Sequence, residues 1–222
     1  MSCSFATPAP SPVPVRSTAR VATSLAATLL TKTISLVAHR GGAGLAAENT
    51  LSTSQSYREP IPTFTQVLDL AKSKNVQLQV EIKVDADQKR YPGIERHVLE
   101  EITARDMLDR VNILALEFDT LKEIRTINPR VKTVSLMGEE FFRSMGNRDP
   151  AALVDDVISF SDGIAVNKDF LSARLVEAAH QRNMLVGVWT VDTASEIQKF
   201  IEIGVDSVTT NRPDIFKAML GR

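Results

Sequence analysis

From residue 34 onward, short runs of Val, Ile and Leu alternate with longer amphipathic stretches, and this rhythm constrains the fold more than any other feature. A run that is apolar on both faces must be buried on both, which suits parallel strands covered by helices. The runs predict strands over Ile34–Ala38, Val76–Ile82, Val111–Leu116, Val131–Leu136, Gly163–Val166, Leu185–Trp189 and Asp206–Thr209. Helical periodicity falls between them, at Thr63–Ser73, Pro92–Leu108, Leu121–Ile127, Ala151–Phe160, Ser172–Arg182, Ala194–Ile203 and Pro213–Leu220. The expected class is α/β, a (β/α)8 barrel of the TIM type with seven recognisable strands, where eight strands in about 250 residues is usual. Between Leu51 and Pro62 there are too few residues for a helix, a strand and their loops, so the absent strand belongs there. Its absence predicts two unpaired sheet edges. The alternative, an open doubly wound sheet, lacks its Gly-x-Gly-x-x-Gly turn after the first strand.

A chain of 222 residues, 43% hydrophobic and 24% charged, can bury one sizeable core. A formal charge of −1 provides no basic stripe for nucleic acid, which points to a small-molecule partner. The single cysteine, Cys3, excludes an internal disulfide and a cysteine-based zinc site. Residues 1–33 read as a leader or disordered segment, rich in Ala, Ser, Thr and Pro and without an acid before Glu48. Such a segment suits an organellar or secreted protein, and otherwise a cytoplasmic one. The apolar run Val21–Leu30 is too short to span a bilayer, and no transmembrane segment is expected. Residues 34–222 form the barrel domain.

The active face of such a barrel lies at the C-terminal strand ends. There the first strand delivers His39 and Arg40, followed by Glu48. Histidine exchanges a proton near neutral pH and arginine offers a fork to a phosphate oxygen, whereas a strand-end histidine is as often tied to local backbone. Glu81 and Lys83 share one strand face, opposite Val80 and Ile82, as a structural ion pair or as a metal ligand beside a phosphate-binding lysine. Trp189, the only tryptophan, either covers the apolar part of a substrate or packs in the core. The closing run from Gly204 to Pro213 has backbone N–H groups that can cradle a phosphate.

Taken in order, His39-Arg40-Gly41, Glu48-Asn49-Thr50, Ile61-Pro62-Thr63-Phe64, Glu81-Ile82-Lys83, Trp189-Thr190-Val191 and Gly204-Val205-Asp206 through Asn211-Arg212-Pro213 resemble the motif series of the glycerophosphodiester phosphodiesterase family. The resemblance implies a metal-dependent barrel that cleaves glycerophosphodiesters to an alcohol and glycerol 3-phosphate. It implies that His39 is one of two acid/base histidines, that Arg40 and Lys83 hold the phosphate, that Glu48 and Glu81 bind a divalent metal, Mg2+ or Ca2+, and that Trp189 lines the pocket.

The sequence departs from that pattern before Ile61-Pro62-Thr63, where the family carries a second strand with a Glu-x-Asp pair, then a His-Asp pair and a small inserted subdomain. Glu117 and Asp119, at a strand end with the same spacing, are the candidates to replace the lost carboxylates. His97 and His180 fall within helical patterns and are not candidates for the lost histidine. Two alternatives follow: a non-catalytic phosphoester-binding or interaction protein, and a lyase or sphingomyelinase-type phospholipase on the same barrel.

Overall fold

The computed structural model of the chain describes residues 2–6, 34–39 and 62–219, the first stretch and Ala38 by backbone alone. Seven parallel strands are present, as the apolar runs predict: β2 (Ser35–Ala38), β3 (Gln77–Glu81), β4 (Val111–Ala115), β5 (Lys132–Met137), β6 (Gly163–Asn167), β7 (Leu185–Trp189) and β8 (Ser207–Thr210). The helices between them are α1 (Phe64–Ser73), α2 (Ile94–Ala104), α3 (Phe118–Ile127), α4 (Glu139–Met145), α5 (Pro150–Asp155), α6 (Ala173–His180), α7 (Ala194–Ile203) and α8 (Pro213–Met219).

The expected open seam is closed. Strand β1 (Ser2–Ala6) lies between β2 and β3 and runs antiparallel to both, completing a closed barrel in the order β1-β2-β8-β7-β6-β5-β4-β3. Its five residues pair along all of β3, from Ser2 opposite Glu81 to Ala6 opposite Gln77. An antiparallel neighbour takes this position with no need of the crossover connection that a parallel strand requires. The strand comes from the stretch read as a leader; the run Val21–Leu30 and residues 40–61 lie outside the described residues.

Local chemistry starts and stops the elements. Thr63 caps α1 reciprocally with Gln66: its hydroxyl accepts from the Gln66 N–H at 3.3 Å while its own N–H donates to Gln66 Oε1 at 2.9 Å. Ser172 and Thr193 cap α6 and α7, and Gly204 ends α7 in the left-handed region at φ 99°. At Gly163 a Cβ would meet the Leu185 carbonyl oxygen at 2.8 Å, so β6 and β7 approach as closely as they do only because that side chain is missing.

Strand alternation divides the apolar residues between two cores. Leu78, Val80, Ile113, Val186, Val188 and Val208 are fully buried beneath the helices. Inside the barrel, Leu114, Leu136 and Ala165 form a smaller cluster against which Val134 and Trp189 pack. This inner cluster is the floor beneath the C-terminal strand ends.

Candidate active site

Above that floor a cavity of about 210 Å³ is lined by His39, Gln79, Glu81, Lys83, Trp189 and Thr209, among others. The sequence placed His39, Glu81, Lys83 and Trp189 at the active face, and the fold brings all four to one pocket. Arg40 and Glu48 lie outside the described residues.

Alternation in β3 turns Gln79 and Glu81 inward while Leu78 and Val80 pack against helices, and Lys83 follows on the inward side. Lys83 Nζ stands 3.6 Å from Glu81 Oε2, with side-chain exposures of 46% and 19%. At that exposure the pair contributes little stability. The ammonium therefore remains accessible to an anion in the pocket. Trp189 is anchored by its indole N–H, which donates to the Ala165 carbonyl oxygen at 2.8 Å, and this fixes the ring at the pocket wall.

His39 is held by residues whose role the sequence did not reveal. Asp192 Oδ1 accepts from the Asn211 backbone N–H at 2.7 Å and from the Thr210 hydroxyl at 3.1 Å, while Oδ2 accepts from Asn211 Nδ2 at 2.8 Å. With its NH2 spent on the carboxylate, Asn211 presents Oδ1, an acceptor, to His39 Nδ1 at 2.8 Å. Nδ1 must then carry the ring hydrogen, which leaves Nε2 of the neutral imidazole with a lone pair. Burial pushes the Asp192 carboxyl up, but the hydrogen bonds from Asn211 and Thr210 outweigh it and hold the group below its ordinary value. The available signal was position alone: Asp192 follows β7, Asn211 follows β8, and β8 pairs with β2, the strand that delivers His39.

Two expectations need correction or restriction. The closing run does not offer its last two N–H groups to a phosphate, since Asn211 N–H donates to Asp192 and Arg212 N–H to Thr210 Oγ1 at 2.9 Å. Glu117 and Asp119 line a neighbouring cleft but are committed elsewhere. Glu117 caps α3, accepting from the N–H groups of Asp119 and Thr120 at 3.0 and 2.9 Å. Asp119 binds Lys122 Nζ at 2.7 Å, a contact that holds its carboxyl below the usual range. His97 pairs with Glu100 on an exposed helix face, and His180 binds Asp206 at the opposite barrel end, as their helical setting suggested.

The sequence profile of the Glycerophosphoryl diester phosphodiesterase family matches residues 48–215. The chain belongs to this family. It is 23% identical over 162 residues to a glycerophosphodiester phosphodiesterase of Bacillus subtilis, covering 70% of this chain and 53% of that protein. A glycerophosphodiester phosphodiesterase of Caldanaerobacter subterraneus is 25% identical, with 70% and 60% covered. The chain thus spans between half and three-fifths of the length of these relatives. The crystal structure of a glycerophosphodiester phosphodiesterase from Parabacteroides distasonis superposes with a TM-score of 0.60 at 24% identity, covering 75% of this chain and 66% of that one. A phosphodiesterase of Oleispira antarctica, solved with its product sn-glycerol-3-phosphate, gives 0.59 at 14% identity, with 81% and 70% covered. No described helix is long and apolar enough to cross a membrane.

Family members are generally dependent on a divalent metal, which the mouth of the barrel would have to hold. A magnesium or calcium ion takes about six or more oxygen ligands. Among the described residues, Glu81 is the one carboxylate that lines the 210 Å³ pocket, and it faces Lys83. Among the described residues no three His, Cys, Asp or Glu side chains gather around one point. The described residues do not by themselves make a cation cage.

Proposed function

We propose that the mouth pocket binds a glycerophosphodiester and hydrolyses it to an alcohol and glycerol 3-phosphate. The observation that carries this reading is the gathering of an oriented histidine, an accessible ammonium and an anchored tryptophan around one small cavity. The sn-glycerol-3-phosphate bound by the Oleispira antarctica protein supports the substrate class.

Hydrolysis forms a bond from water oxygen to phosphorus and breaks the bond from phosphorus to the leaving alcohol oxygen. One proton leaves the water and one reaches the departing alkoxide. His39 Nε2, with Nδ1–H tied to Asn211, is the group that accepts or donates one of these. Lys83 offsets the charge of the phosphoryl oxygens, and Arg40 is proposed as a second cation there. Trp189 lies against the carbon skeleton of the substrate. Glu81 and Glu48 are the proposed carboxylates of a Mg2+ or Ca2+ site, which needs more oxygen ligands than the described residues supply.

A second reading, binding without turnover, is favoured by one observation. The chain has three histidines, and the two besides His39 lie away from the pocket, so the second proton transfer has no histidine of this chain to perform it. Chromatography of the products from glycerophosphocholine, with Mg2+, with Ca2+ and with chelator, separates these readings. Release of glycerol 3-phosphate supports hydrolysis; saturable binding without product supports the second reading; a cyclic phosphate contradicts hydrolysis and points to a lyase.

A further inference from the structure

Strand β1 is the one strand that the alternation of strand and helix does not place. The seven parallel strands form a continuous sheet from β2 through β8, β7, β6, β5 and β4 to β3, and β1 joins its two ends. Its withdrawal breaks no pairing within that sheet. The hold on it is uneven, because β1 pairs with β3 from Ser2 to Ala6 but with β2 only at Phe5 and Ala6. Its sequence, Ser-Cys-Ser-Phe-Ala, has a single large apolar residue. Attachment therefore rests mainly on main-chain hydrogen bonds, which the same strand of any copy supplies equally well.

The connection does not tie β1 to its own barrel. Ala6 stands opposite Val37, two residues from the start of β2 at Ser35. Two residues suffice to join antiparallel neighbours, whereas residues 7–34 join these. Fully extended, such a length reaches up to about 90 Å. A longer connection lowers the local concentration at which a tethered strand meets its own slot. A barrel without β1 has one unpaired edge on β2 and one on β3. A second copy offers a strand of matching sequence and register and has the same need, so reciprocal exchange pairs all four edges and closes the assembly at two chains.

We infer that β1 exchanges between copies of this chain, giving a two-fold dimer in which each barrel is closed by residues 2–6 of the other copy. The exchanged strand then completes the site, since it lies against Ala38, which precedes His39, and against Gln79 and Glu81, which line the mouth pocket. The exchange does not depend on the reaction performed there.

Cys3, the only cysteine, reads the exchange. It stands opposite Val80, which is fully buried, and opposed residues of an antiparallel pair lie within the span of a disulfide. The full chain is mixed with full-length Cys3→Ser/Val80→Cys, refolded with it from urea and oxidised with glutathione disulfide. A disulfide between the two chains forms where β1 of the first fills the slot of the second, and mass spectrometry of the linked peptides identifies it. With a local concentration in the millimolar range for the tethered strand, the crossed share should rise at least about tenfold between about 10 and about 500 μM protein. Cys3→Ser/Gln77→Cys controls for random collision: residue 77 is exposed but stands opposite Ala6, so its thiol should capture Cys3 far less. Should Val80→Cys not fold, Cys3→Ser/Ser4→Cys mixed with Cys3→Ser/Gln79→Cys repeats the test outside the core, on the next opposed pair. Equal capture at residues 77 and 80 overturns the inference. So does a disulfide that at about 500 μM forms only within one chain, in Val80→Cys that keeps Cys3, and so does the absence of a disulfide in both arrangements.

Discussion

Replacing Asp192 by asparagine keeps the shape of the side chain and removes one acceptor. The carboxylate serves three donors with two oxygens: the Asn211 N–H at 2.7 Å, Asn211 Nδ2 at 2.8 Å and the Thr210 hydroxyl at 3.1 Å. The introduced amide has one oxygen, so its NH2 faces one of these donors. Asn211 relieves the clash by turning its own amide, which presents Nδ2 instead of Oδ1 to His39. The imidazole must then accept at Nδ1 and carry its hydrogen on Nε2, the wrong tautomer for a base at that nitrogen. Loss of about one charge-assisted hydrogen bond costs about 2 kcal/mol, which for a chain of this size lowers Tm by roughly 4–8 °C. If His39 performs proton transfer, turnover falls by about 10²–10⁴. Long-range proton–nitrogen NMR correlations of the histidine rings assign the tautomer, and only three rings need assignment. A variant whose His39 still carries hydrogen on Nδ1 refutes the reasoning, whatever its stability.

Gly163→Ala forces a methyl to within 2.8 Å of the Leu185 carbonyl oxygen; a loss of about 1–3 kcal/mol in denaturant unfolding is expected, and an unchanged midpoint would show that β6 and β7 separate freely. Because Asp192 is held below its ordinary 3.8, its contribution to stability is present above that pH and lost as pH falls through the lowered value. The stability gap between the wild type and Asp192→Asn should therefore be constant near neutrality and close on acidification, and a gap that widens on acidification has the wrong sign. Deleting residues 2–6 unpairs one edge of β2 and one of β3, so concentration-dependent association is expected in sedimentation velocity. A shortened chain that stays monomeric with an unchanged Tm would mean that β1 adds nothing to closure.

The seven parallel strands were legible because burial on both faces leaves near-continuous runs, such as Leu185–Trp189, whose bounds the structure reproduces. Helix limits were less so: the stretch from Pro92 to Leu108 yields only Ile94–Ala104, because Gly93 turns left-handed at φ 74° and Asp106 at φ 55° ends the element. Strand β1 was hidden in Ser- and Ala-rich sequence that has no apolar run, and its partner β3 lies some seventy residues away. Helix α4 is too short, at seven residues, to show a period. In the site, His39, Glu81, Lys83 and Trp189 stood out as polar or large groups at strand ends. The Asp192 and Asn211 roles did not, because the contact of Asn211 with His39 joins positions 172 residues apart and exists only once β2 and β8 pair.

The rate of glycerol 3-phosphate release from glycerophosphocholine by the wild type and by His39→Ala, measured on folded protein with Mg2+ or Ca2+ present, tests the central claim most directly. The account predicts measurable turnover that falls by about 10²–10⁴ in the variant, with Trp189 fluorescence still reporting ligand binding. Equal turnover by the two proteins would contradict it, since the oriented imidazole would then take no part in the chemistry.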